Sequence, residues 1–128
     1  MRRVVLLVAA TMVMCVPSAS AEGKASTRVT LDNIQTFPSG GVTTIWTGDI
    51  FSPEKECKNR RRVFVFRVTD GTDEKRGSTL SYKGSDQPGY YWIYEEEGTP
   101  PAGEYYAKVN PTDGCKGDRS ERAPYTPI

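Results

Sequence analysis

Two cysteines, Cys57 in "SPEKECKN" and Cys115 in "DGCKGD", carry the chemistry that is easiest to state. A third, Cys15, lies in an apolar N-terminal run and leaves with that run if it is a cleaved leader. In an oxidising compartment the remaining pair is most simply a disulfide, because neither sulfur has another partner. Pairing removes both thiols as nucleophiles. The chain has no histidine, so the usual general base and the commonest metal ligand are missing too. Serine–lysine chemistry would need Ser78, Ser81 or Ser85 set beside a lysine, and no recognisable motif does this. The expectation is a non-enzymatic protein with no cofactor and no metal.

Binding chemistry has more to work with. Asp70, Asp73 and Glu74 share one short stretch and offer hard oxygen ligands, but the spacing is not that of a calcium loop, and Lys75 and Arg76 would repel a cation. Glu95, Glu96 and Glu97 end a strand-like segment and read as a solvated edge that discourages sheet-to-sheet pairing. Arg60, Arg61 and Arg62, with Lys58, form a basic run beside Cys57. They read as a solvated strand entrance or as a contact for an anionic surface such as a wall polymer. Tyr90, Tyr91, Trp92 and Tyr94 form one aromatic cluster and Tyr105 and Tyr106 another. Tyr90, Trp92 and Tyr94 are expected in the core. Tyr91 and Tyr106, on an outer face, would form a flat platform for sugar rings if their strands were neighbours.

The N-terminus sets the compartment. Arg2 and Arg3 precede an apolar run from Val4 to Val16, then Pro17 and small residues ending in Ala19-Ser20-Ala21. That is the layout of a secretory signal peptide over residues 1–21, cleaved after Ala21. The run is shorter than the roughly 20 residues of a membrane span. The rest of the chain, residues 22–128, suits one domain. The leader takes two of 17 basic residues against 16 acidic ones, so the remainder is near neutral. That balance does not fit a nucleic-acid binder.

These residues need strands to position them, and strand signals dominate. "TRVTLDNI" (27–34) alternates apolar and polar residues. "VTTIWTGDIF" (42–51) puts Val42, Thr44, Trp46, Gly48 and Ile50 on one face, with Gly48 marking a bulge or a close backbone approach. "RRRVFVFRVTD" (60–70) is apolar on both faces, as expected of a strand central to its sheet. "DGTDEKRG" (70–77) reads as a hairpin loop, followed by short strands at 78–83, 90–97, 104–109 and 120–125. About seven short strands separated by turn residues predict an all-β, two-sheet β-sandwich, with a core spanning about 27–125.

The order Gly48–Cys57 ("GDIFSPEKEC"), then "RRVFVFR", "GEYYAKV" and "GCKGDRS" resembles a disulfide-pinned, transthyretin-like (prealbumin-like) β-sandwich domain of secreted bacterial proteins, akin to carboxypeptidase regulatory-like modules. Gly48, Ser52, Cys57, Gly103, Tyr105, Tyr106, Ala107 and Cys115 carry the likeness. It implies a fold, a disulfide and export, and no catalytic residue or ligand. The functional expectation is therefore a secreted binding or structural module. Its alternatives are an extracellular glycan or wall-polymer binder using Tyr91, Tyr106 and Arg60–Arg62, or a secreted inhibitor that presents a loop to a protein.

Overall fold

The computed structural model describes residues 23–38 and 40–127; the expected leader lies outside the described residues. Among these residues ten strands form: β1 (Arg28–Val29), β2 (Asn33–Phe37), β3 (Thr43–Phe51), β4 (Arg62–Arg67), β5 (Glu74–Leu80), β6 (Tyr82–Lys83), β7 (Tyr90–Glu97), β8 (Gly103–Val109), β9 (Asp118–Arg119) and β10 (Ala123–Tyr125). Both sheets are antiparallel. In the first, β1 and β2 lie in succession along one edge of β3, whose other edge pairs β7, which pairs β6; in the second, β10 and β9 lie in succession along one edge of β8, whose other edge pairs β4, which pairs β5. The chain is a two-sheet sandwich, and β4 is central to its sheet as its two apolar faces imply. No helix among the described residues is long and apolar enough to cross a membrane.

Alternation builds the core. Thr44, Trp46, Gly48 and Ile50 of β3 turn inward, with Trp92 of β7, to meet Val63 and Val65 of β4 and Tyr105, Ala107 and Val109 of β8. Gly48 is a close approach: a Cβ there would collide with the Thr30 carbonyl oxygen and lie 2.7 Å from Trp92 Nε1. That space lets Trp92 donate its indole N–H to the Thr30 carbonyl at 2.9 Å. The sandwich is pinned by the Cys57–Cys115 disulfide, with 5.5 Å between α-carbons.

The extra strands have local causes. Residues 27–34 do not run as one strand, because the register against β3 slips by one residue between Val29↔Ile50 and Asn33↔Thr47. The stretch Thr30–Asp32 bulges there and pushes Asp32 outward. Residues 78–83 divide at Ser81, where the chain leaves one sheet for the other. Ser81 is buried, accepts the Arg61 N–H at 2.8 Å and donates to the Lys58 carbonyl at 2.7 Å. "EKRG", expected in a loop, is strand instead. Arg67 pairs with Glu74 at 3.0 Å across β4 and β5, and Gly77 makes room for the ring of Tyr94.

Candidate functional site

A groove of about 430 Å³ crosses the outer face of the first sheet. Its floor is Thr47 and Asp49 of β3 with Ile93 of β7, one wall is Tyr82 and Tyr91, and the bulge supplies Asp32 opposite. Antiparallel register places these groups. Asp49 lies directly across from Tyr91, and Tyr91 across from Tyr82. The two tyrosine rings sit 6.2 Å apart at 48°, and Tyr82 is 41% exposed. Residues 84–89 form the rim, closed by the Gly84 N–H donating to the Gly89 carbonyl at 3.0 Å. Tyr91 lies down against this rim because Gly84 has no side chain; a Cβ there would come within 2.6 Å of its ring. The Tyr91 hydroxyl donates to the Pro88 carbonyl at 2.7 Å, which fixes the ring.

Two carboxyl groups meet at the far wall. Burial pushes the Asp49 carboxyl above its ordinary range, and a hydrogen bond with Asp32 and that neighbour's charge push it the same way, against the pull of Arg28. Thr30 ties the pair together: its hydroxyl donates to Asp32 Oδ2 at 3.1 Å, and its oxygen accepts the Asp49 N–H at 2.9 Å. Chemically, the groove offers an aromatic flank for a C–H face and hydrogen-bond acceptors for hydroxyl groups.

No protein-family model, curated protein or solved structure matches this chain.

The residues singled out from sequence end up in several places. Tyr91 is in the groove. Tyr106 belongs to the other sheet, so the two share no platform. It points outward from β8 but is only 2% exposed, its ring stacked 5.4 Å from Phe66 at 14° and capped by the Arg119 guanidinium at 4.4 Å. Its hydroxyl donates to Asp73 at 2.7 Å. Arg61 is 5% exposed and cannot join a surface patch. Its guanidinium donates to the Cys57 carbonyl at 2.8 Å, Thr27 Oγ1 at 3.2 Å, and the Asn110 and Lys116 carbonyls at 2.8 and 2.9 Å. Arg60 and Arg62 are exposed on either side of it.

The acidic runs are dispersed as well. Asp73 accepts from Tyr106 and from the Thr69 N–H, which holds its carboxyl below the usual range. Glu74 turns to Arg67 and Arg76. Glu96 is not a solvated edge residue: it takes Arg76 at 2.6 Å and the Tyr94 hydroxyl at 3.0 Å, joining the two sheets. Tyr90 and Trp92 are buried in the core, with Tyr94 packed against it. Sequence reasoning missed Asp32, Asp49 and Tyr82, because only strand pairing brings them to Tyr91.

Proposed function

We propose that this protein is an exported, non-enzymatic binding module whose groove on the first sheet takes a sugar ring. The carrying observation is that Tyr82 and Tyr91 flank one groove with the Asp32–Asp49 carboxyl pair. A pyranose laid on Tyr82 buries its C–H face on the ring, while its hydroxyls donate to Asp49 and Asp32. The shape supports a binding role. The groove is open, Tyr91 is held by Pro88, and the wall is preformed, so little ordering cost attends binding.

Support for export is independent of the groove. The leader-like residues 1–21 and the motif order that resembles secreted transthyretin-like domains point outside the cell, where a disulfide persists. With no histidine and both described sulfurs in one bond, neutral binding chemistry suits the chain better than catalysis. The test is titration of residues 22–128 against soluble oligosaccharides chosen by glycan array. Tyr82→Ala, an exposed position, should weaken binding about 2- to 10-fold at unchanged stability, in keeping with one lost aromatic contact. Undiminished binding by that variant, or an array with no glycan bound, overturns the proposal.

A further inference from the structure

We infer that the outer face of the second sheet, opposite the groove, is a docking surface for a linear anionic polysaccharide. Register places Phe64 and Phe66 of β4 beside Lys108 and Tyr106 of β8, with Lys75 of β5 and Arg119 of β9 next in the rows. Each ring carries a cation. Lys75 Nζ lies 5.0 Å above Phe64, Lys108 Nζ 5.9 Å above Phe66, and the Arg119 guanidinium 4.4 Å above Tyr106. Arg62, exposed on the same face of β4, adds a fourth charge.

These cations lack carboxylate partners. Among the described residues, the ion pairs join Arg67 and Arg76 to Glu74, Arg76 to Glu96, and Arg122 to Glu104. Asp73, the nearby acid, already accepts from Tyr106 and Thr69. The outer face of the first sheet is mostly acidic, carrying Asp32, Asp49, Glu95 and Glu97 against the cation Arg28 beside Phe51. The second sheet's outer face also holds Glu104, paired with Arg122, and Asp73 under Tyr106; Arg62, Lys75, Lys108 and Arg119 still leave it with an excess of positive charge, complementary to a polyanion.

The occupant follows from what covers the rings. A protein partner needs apolar anchors to bury, and here the aromatic faces lie under cations. A bilayer needs side chains to insert. Among the described residues, the exposed large apolar side chains Phe37, Val42, Phe51, Tyr82 and Ile93 all lie on the first sheet or its approaches. What remains is a flat array of charges on strands about 4.8 Å apart, held by their rings so that little side-chain freedom is lost on contact. A flexible chain bearing regularly spaced sulfate, phosphate or carboxylate groups fits such an array.

The experiment compares dextran sulfate with uncharged dextran by calorimetry over a salt series. Lys75→Ala/Lys108→Ala/Arg119→Ala should weaken dextran sulfate binding about tenfold, the sum of three modest surface contacts. The isocharged control Lys24→Ala/Lys55→Ala/Lys83→Ala, at exposed sites elsewhere, should leave affinity nearly unchanged. Lys75→Gln/Lys108→Gln, which leaves Arg119 on Tyr106, provides the same reading if the triple variant fails to fold. Equal losses in the face and control variants would reduce the effect to bulk charge and overturn the inference. So would binding to phosphatidylglycerol vesicles without binding to dextran sulfate. A dimer that the face substitutions dissociate would assign the surface to a second copy instead. Face substitutions that weaken uncharged dextran as much as dextran sulfate also overturn it.

Discussion

Asp49 holds its carboxyl above the ordinary range, burial and Asp32 together outweighing the pull of Arg28. Burial raises it first and Asp32 next, because the fold sets two carboxyl groups side by side. The sign is fixed by linkage: a carboxyl whose folded pKa is raised adds stability below its unfolded value and costs stability once it ionises in the fold. Asp49→Asn removes that cost while keeping the size and polar character of the side chain. The expected outcome is a higher melting temperature at neutral pH, a gain that vanishes in acid, and weaker glycan binding. Higher stability with lost binding is the signature of a site kept at a stability cost. If Asp49→Asn melts below the parent at neutral pH, the pair is structural.

The strands carry a second titration on the edge where the two sheets meet. Tyr94 donates its hydroxyl toward Glu96 and the Arg76 carbonyl at 3.0 and 2.9 Å, and Arg76 reaches Glu96 from β5. Burial and then the Glu96 hydrogen bond push Tyr94 up to about 12. The unfolded tyrosine titrates near 10, so unfolding releases a proton between those values and stability must fall as pH rises through that window. Tyr94→Phe should flatten this alkaline fall in urea melts, at a neutral-pH cost of about 1 kcal/mol for the lost hydrogen bonds. An unchanged slope would place the buried proton elsewhere. This edge shows what sequence can and cannot disclose. Alternation in β3, β4, β7 and β8 was legible, since inward Trp46, Val63, Trp92 and Tyr105 fall two residues apart from their inward neighbours. Glu96 was not legible as a bridge, because three successive glutamates look alike until β5 arrives opposite β7. Arg61 carried a readable signal, since it shares the inward face of Val63 and Val65, but two exposed arginines beside it disguise the middle one. The groove was the least legible feature, because Asp32, Asp49 and Tyr82 come from three strands and meet only through register.

At the scale of the whole molecule, the sandwich is closed at one end by two devices acting on the same loops. The disulfide ties residues 58 positions apart, which the chain-entropy account values at about 4 kcal/mol. Arg61 sits beneath it and gathers the carbonyls of Cys57, Asn110 and Lys116, the first just before β4 and the others on either side of Cys115. Burial pulls its guanidinium below its ordinary range, yet among the described residues no carboxylate is paired with it; carbonyl dipoles carry the charge. Lysine has too few donors in the wrong geometry to replace that fork. Arg61→Lys should therefore destabilise by about 2–3 kcal/mol, because buried carbonyls lose their partners. Groups that restrain one segment do not contribute independently. Once Cys57→Ala/Cys115→Ala frees the loop around residue 115, the carbonyls of Asn110 and Lys116 can turn to water, and losing Arg61 then matters less. The combined variant should fall short of the summed single losses by about 1 kcal/mol or more in urea denaturation. Strict additivity would mean that Arg61 holds its carbonyls in place without the covalent link, and that the closed end of the sandwich is two separate fastenings instead of one.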